Sequence, residues 1–327
     1  MSPRGLLPLL TAVALLVAAC GSSTPSASPA GAICGTAPDS PAAATWGGPA
    51  DPAPTLTPIL VSNAITCGKA RILFLYLDSA NRVASAPDRK ATVAFYNLGR
   101  DPNKAVATAE GTFVWTIKDE RGMYVVDVDL PEAGVWGAEF TTTAKDTAGI
   151  ETGEQARMTF SVLDTPTAVA VGQEAPASKT PTVADVGGDV TKISTDTDPD
   201  PAFYQTSVAD ALAAKKPFML VFATPKFCQT AQCGPTLDLF KPIAAAHPEV
   251  TFINVEPYKL QEVDGQLQPV LDANNQLIAA DVTDEWGLLS EPWIFAVDRD
   301  GIVRGSYELT MTDPELNAIL PVIAAGG

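Results

Sequence analysis

Phe218-Met219-Leu220-Val221-Phe222-Ala223-Thr224-Pro225-Lys226-Phe227-Cys228-Gln229-Thr230-Ala231-Gln232-Cys233-Gly234-Pro235 holds the pattern that decides the fold. Its first five residues are apolar without interruption and lie between Pro217 and Pro225. A short run without alternation, bounded by breakers, predicts a strand buried on both faces, as in a parallel sheet. The chain then enters a loop holding Cys228 and Cys233, and Pro235 opens a helix. Proline costs nothing in the first helical turn, where its missing N–H has no partner to lose. Leu237, Phe240, Ile243 and Ala244 then fall on one face of a helix over 235–246. The loop thus carries two thiols to a strand-to-helix junction. Unpaired N–H groups and the helix dipole favour a thiolate there, and a second thiol in the same loop can resolve a mixed disulfide.

Elements around this stretch follow the same logic. Residues 208–215 read as a short amphipathic helix and 250–255 as a second buried strand. Residues 293–297 and 302–307 flank Asp298-Arg299-Asp300-Gly301, whose residues suit a tight turn. They predict a hairpin, and 313–323 reads as a closing helix.

In this arrangement residues 201–325 resemble the thioredoxin fold. Three features carry the resemblance: the buried strand running through a cysteine loop into a helix, Cys233-Gly234-Pro235 at the start of that helix, and Ser290-Glu291-Pro292-Trp293 leading into the hairpin. Pro292 matches the proline that the family holds cis beside its cysteines and uses to contact substrate backbone. The resemblance implies an α/β domain with Cys228 and Cys233 as catalytic residues, exchanging electrons with protein thiols or disulfides and needing no cofactor. The sequence departs from the family in three places. The motif is Cys-x4-Cys rather than Cys-x-x-Cys, Phe227 stands where the family has tryptophan, and Val221 stands near the family's buried acid. Either cysteine can be matched to the family's nucleophile, and a structural Cys228–Cys233 staple in a redox-inert binding module remains the alternative. Thr224-Pro225 does not reproduce the Pro-x-x-x-Thr-x-x-Cys pattern of peroxiredoxin-like peroxidases. Trp286 and Trp293 read as core, and Asp281, Asp284 and Glu285 as a solvated face.

Residues 58–164 read as β structure, with candidate strands over 71–77, 91–96, 111–118, 123–130, 136–143 and 157–163. Tyr124, Val126, Val128 and Leu130 alternate with Asp127 and Asp129, the signature of a half-buried strand. Short, evenly spaced strands predict an antiparallel sandwich. The stretch 122–140 resembles Ig-like modules of bacterial surface proteins. Some modules of that shape bind copper, but no histidine or methionine cluster supports a metal here. The chain is therefore expected to be multidomain, an all-β Ig-like sandwich followed by an α/β thioredoxin-like domain. Residues 165–200, rich in Pro, Thr, Asp and Gly, read as the linker between them.

Residues 5–19 form an apolar stretch of about fifteen residues after Arg4, short of the roughly 20 needed to span a bilayer. They suit a signal peptide over 1–19. Val17-Ala18-Ala19-Cys20-Gly21 resembles the lipobox of bacterial lipoproteins, which implies lipidation of Cys20 and attachment to the extracytoplasmic face of a membrane. Residues 20–57, dominated by Ser, Pro, Ala, Gly and Thr, cannot bury enough apolar surface to fold alone and read as a disordered tether.

With Cys20 lipidated, Cys34, Cys67, Cys228 and Cys233 remain, an even set outside the cytoplasm. Spacing suggests Cys34–Cys67 as a structural bridge and Cys228–Cys233 as a second pair, although three connectivities are possible. The net charge of −17, from 38 acidic and 21 basic residues, repels nucleic acid and anionic lipid alike. Membrane contact is therefore left to the lipid. The single histidine, His247, excludes most histidine-based metal sites and argues against a Ser-His-Asp triad, and it reads as a helix-end residue.

Overall fold

A computed structural model describes residues 33–48, 53–145 and 150–326. The signal peptide and Cys20 lie outside the described residues. The chain is β-rich, with several antiparallel sheets and few helices. Among the described residues no helix is long and apolar enough to cross a membrane.

The first half contains β1 (Thr57–Leu60), β2 (Gly68–Leu77), β3 (Lys90–Asn97), β4 (Ala107–Glu110), β5 (Thr112–Ile117), β6 (Arg121–Leu130), β7 (Gly134–Lys145) and β8 (Glu151–Val162). They form two antiparallel sheets, ordered β1-β2-β6-β5 and β4-β3-β7-β8. The alternating residues of β6 explain the layering. Tyr124, Val126, Val128 and Leu130 point into a core shared with Phe74, Phe95, Trp136 and Phe140. Phe74 sits 5.0 Å from Phe140 between ring centroids. The Tyr124 hydroxyl donates to the carbonyl of Ala86 at 3.0 Å, so its burial leaves no polar group unpaired.

Two features of this half depart from the sequence reading. The strand expected over 111–118 is β5, and a further short strand that the sequence did not suggest, β4, precedes it across Gly111. Part of the expected tether is built onto the sandwich. Trp46 packs on Tyr96 in a tilted contact, 4.6 Å between ring centroids, and covers Gly137, where a Cβ would come within 2.4 Å of the indole. Cys34 and Cys67 are bonded, which pins this segment to the sandwich. Closing a loop of that length stabilises by about 4 kcal/mol in the chain-entropy model. Replacing both cysteines by serine is therefore expected to lower the sandwich's urea midpoint by an amount equivalent to about 4 kcal/mol, with the Cys228–Cys233 bond intact by mass spectrometry.

The second half contains α1 (Val208–Ala213), β9 (Phe218–Phe222), α2 (Cys233–Ala246), β10 (Thr251–Val255), β11 (Leu260–Val263), β12 (Gln266–Pro269), α3 (Asp281–Glu285), β13 (Trp293–Val297), β14 (Val303–Glu308) and α4 (Asp313–Ala325). The main sheet is ordered β10-β9-β13-β14. β9 and β10 are parallel, and β13 runs antiparallel to both β9 and β14. β9 is buried along its whole length, and its two faces feed different cores. Met219 and Val221 pack with Leu237, Phe240, Leu316 and Leu320 of α2 and α4. Phe218, Leu220 and Phe222 pack with Val208, Ala211 and Trp286 on the opposite side. An uninterrupted apolar strand is what two covered faces require. Trp286 and Trp293 are buried, with their N–H groups bonded to Ser178 and Ser306.

Residues 165–200 lie along this second unit. The backbone N–H groups of Val169, Gly172 and Ala175 donate to carbonyls of Trp286, Val303 and Gly301. Ser178, Thr180, Thr182, Ser194 and Thr195 are buried. Their hydroxyls bond mostly to side chains, among them Glu285, Asp185, Tyr204 and Thr224, and such a segment shows no apolar period.

The two halves also meet. Leu309, just after β14, is buried against Leu73, Met123 and Val125 on the outward face of β2 and β6. β6 is thus covered on both faces near its start. The half-burial expected from its sequence describes the sandwich, but not the surface where the second unit sits.

Candidate functional site

The end of β9 sets the site. Ala223 and Thr224 follow the strand at 0% exposure, the loop runs on to 232, and α2 begins at Cys233. Cys228 and Cys233 are bonded. The two sulfurs stand in different surroundings. Cys233 is 0% exposed, whereas Cys228 is half-buried. The backbone N–H of Cys233 donates to Cys228 Sγ at 3.2 Å, and the Thr230 hydroxyl lies 3.3 Å from the same sulfur. The first amide of α2 therefore points at Cys228 and would stabilise negative charge there. Ala231 holds the loop at a φ of 60°, a left-handed conformation unusual for a residue with a Cβ.

The segment before β13 forms the other wall. The Glu291–Pro292 peptide is cis. The Glu291 carbonyl accepts from the Thr230 hydroxyl at 3.0 Å. Glu291 itself is 3% exposed. Its Oε1 accepts from the backbone N–H of Gln229 at 2.7 Å, and its Oε2 from the Tyr258 hydroxyl at 2.5 Å. Burial first, and then the adjoining Glu291 carboxylate, push the Tyr258 phenol far above its ordinary range, so it stays a donor. Among the described residues no Lys, Arg or His pairs with Glu291. A carboxylate oxygen of Glu291 and the sulfurs of Cys228 and Cys233 all lie within 4.8 Å of one another.

The sandwich reaches this loop. Gln232, 2% exposed, donates from Nε2 to the Thr116 carbonyl on β5 at 2.6 Å. Thr236 on α2 donates to the Leu309 carbonyl at 2.9 Å, and the Leu309 N–H donates to the Pro292 carbonyl at 2.9 Å. Helix start, proline loop and sandwich contact are thus linked by hydrogen bonds.

Sequence reading singled out Cys228, Cys233 and Pro292, and the structure brings their segments together. It missed Glu291, Tyr258, Thr230 and Gln232. Glu291 stood inside the quoted Ser290–Trp293 stretch, and an acid directly before that proline was the available signal. Tyr258 lies 33 positions before Glu291 and carried no pattern. His247 caps the end of α2 and meets Glu249 at 2.9 Å.

A second buried acid lies nearby, on the far side of the loop. Glu256 follows β10, and burial pushes its carboxyl up to about 7, against hydrogen bonds from Thr224 and Thr195. The Thr195 N–H donates to Oε1 at 2.6 Å, while Oε2 has no partner. Unfolding returns the group to its ordinary value of 4.5. Between those values the folded chain holds the extra proton, so stability is full below about 4.5 and falls as pH rises through 7. The loss is on the order of 3 kcal/mol. A Glu256→Gln chain is expected to lose that slope, read as urea midpoints measured across the same pH range.

A separate cavity of about 360 Å³ opens between the two halves, lined in part by Ser62, Arg71, Thr167, Trp293, Ser306 and Glu308. It contains neither Cys228 nor Cys233.

No family model matches the chain, and no curated protein matches it. Among solved structures, MtrC from Shewanella baltica OS185 is similar at 11% identity with a TM-score of 0.24, over 46% of this chain and 28% of that one. The chain therefore spans little more than a quarter of that protein's length, and a likeness that loose bears on neither fold nor chemistry.

Proposed function

We propose that this chain is a thioredoxin-like thiol–disulfide oxidoreductase working outside the cytoplasm, held to a membrane by lipid on Cys20. Cys228 is the attacking thiol and Cys233 the resolving one. The observation that carries this reading is the asymmetry of the pair: the more exposed sulfur, Cys228, receives the helix-start N–H, whereas Cys233 is fully buried. The order of β9, cysteine loop and α2, with the cis Glu291–Pro292 peptide alongside, supports the thioredoxin-like reading.

In the reduced pair, the Cys228 thiolate attacks one sulfur of a protein disulfide. A bond forms between Cys228 and that sulfur, and the other substrate sulfur leaves as a thiolate. Cys233 then gives up its proton and attacks Cys228 Sγ. The second substrate sulfur leaves, and the Cys228–Cys233 bond closes. The substrate gains two electrons and the pair loses them, so turnover needs an external dithiol. Glu291 is buried with a carboxylate oxygen within 4.8 Å of both sulfurs, and in this reading it receives the Cys233 proton. In this reading it takes over the task of the acid that Val221 lacks.

A redox-inert module stapled by Cys228–Cys233 is the second reading, favoured by the complete burial of Cys233 and the Gln232–Thr116 contact over the loop. The reduction potential of the pair in the full chain, with insulin disulfide reduction as the activity assay, separates the two. Insulin reduction with a potential above about −300 mV is expected. A potential well below that, typical of structural bridges, together with no activity, would sink the enzyme reading.

A further inference from the structure

We propose that the reduced site is also a zinc site, with Cys228 Sγ, Cys233 Sγ and a Glu291 carboxylate oxygen as its three protein ligands. This rests on the redox reading only in requiring that the pair be reducible.

Geometry comes first. The three ligand atoms already lie within 4.8 Å of one another. Tetrahedral zinc with Zn–S bonds of about 2.3 Å sets two sulfurs about 3.8 Å apart. Once the S–S bond is gone, the two sulfurs are free to separate to that distance around an ion beside the Glu291 oxygen.

Charge is the second argument. Two thiolates and a carboxylate carry three negative charges into a site where Cys233 and Glu291 are buried. Among the described residues no Lys, Arg or His pairs with that carboxylate. Buried charge of one sign is costly unless a cation joins it. A divalent cation supplies that cation and displaces the two thiol protons to solvent.

The carboxylate is also already oriented. Gln229 N–H holds Oε1 and Tyr258 O–H holds Oε2, which is the kind of outer hydrogen bonding that fixes a metal ligand. Cys228 is half-exposed, so water has access to the fourth position. Two soft sulfurs with one hard oxygen suit Zn²⁺, whereas Cu⁺ would use the sulfurs alone. The sequence pointed away from metals because it holds one histidine, but this donor set uses none.

Forming the site takes two electrons and two protons from a dithiol such as dithiothreitol, which closes to its cyclic disulfide. The test is anaerobic titration of the full mature chain, oxidised or reduced and freed of reductant, with Zn²⁺ and with Co²⁺ as the spectroscopic probe. One ion per reduced chain is expected, bound at least a hundredfold tighter than by the oxidised chain, with thiolate-to-cobalt charge-transfer absorption. Glu291→Gln is expected to weaken binding by about 10- to 100-fold. The Cys228→Ser, Cys233→Ser double variant should return it to the oxidised level. Equal binding by oxidised and reduced chains, cobalt bound without thiolate absorption, binding retained by the double variant, or an unchanged affinity in Glu291→Gln would each overturn the proposal. Thiols that titrate while no metal binds sink the zinc site alone. A pair that cannot be reduced sinks the redox reading as well.

Discussion

A Cys233→Ser chain accumulates a stable mixed disulfide through Cys228, whereas a Cys228→Ser chain forms almost none. In both, catalytic disulfide exchange falls by about a hundredfold or more, because the two thiols act as a unit. The difference lies in the single-turnover step. With Cys233 gone, Cys228 remains half-exposed at the start of α2, and nothing is left to resolve the bond that it makes. With Cys228 gone, the remaining thiol is 0% exposed beneath the loop. The Gln232–Thr116 hydrogen bond ties that loop to β5. Attack by Cys233 then requires local opening, and an opening free energy of about 3 kcal/mol slows it about a hundredfold. Reaction with a chromogenic aromatic disulfide, followed by intact-mass analysis, reads both the rate and the trapped adduct. Faster trapping by Cys228→Ser would reverse the assignment of attacking and resolving thiol.

That prediction depends on burial, which the sequence did not carry. β9 was legible because a strand covered on both faces must be apolar at every position, and Phe218–Phe222 is. The hairpin of β13 and β14 was legible because Asp298–Gly301 has turn chemistry. The start of α2 was placed slightly late, at the proline, because the helix takes in Cys233 and Gly234 ahead of it. β1 escaped notice because it is a four-residue edge strand containing proline, and edge positions tolerate a residue without an N–H. β11 and β12 pair only with each other and bury little, so they lack the apolar pattern that marks a strand.

At the site, the cysteines were legible from chemistry and spacing, and Pro292 from its place before an apolar strand. Glu291 and Tyr258 were not. Their meaning comes from a hydrogen bond across 33 positions, and no local pattern encodes such a pair. The span 165–200 looked like a linker for a related reason. Its buried Ser and Thr residues take partners from side chains and N–H groups, several of them distant in sequence, so composition alone reads them as solvated.

Arg71→Ala is expected to lower stability by about 3 kcal/mol, toward the lower end of the cost of breaking a buried ion pair. From sequence, Arg71 was only the first residue of a strand. In the structure it leaves the outward face of β2 and reaches the second half of the chain. Its Nε bonds Glu315 Oε1 at 2.5 Å, and its Nη2 bonds Glu315 Oε2 at 3.1 Å. Nη2 and Nη1 also reach the carbonyls of Thr310 and Glu308 at 2.8 and 3.3 Å. Arg71 and Glu315 are only 13% and 20% exposed, so water screens the pair little. Glu315 in turn completes the capping box of α4 with Thr312. Asp127 stands opposite Arg71 in the sheet. Burial, and then Glu315, push the Asp127 carboxyl up, while Arg71 opposes the rise. Without the guanidinium, two half-buried acids face each other with no cation, and two carbonyls lose their donor. Arg71→Lys keeps the charge but not the planar fork, so it should recover only part of the loss. Thermal unfolding of the three chains gives the ranking, with a fall on the order of 6–10 °C for Arg71→Ala. The same variant should speed reaction of Cys233 in the Cys228→Ser background, because Leu309 and Thr236 link this contact to the start of α2. A destabilised chain whose Cys233 stays equally slow would mean that the sandwich braces the fold without covering the thiol.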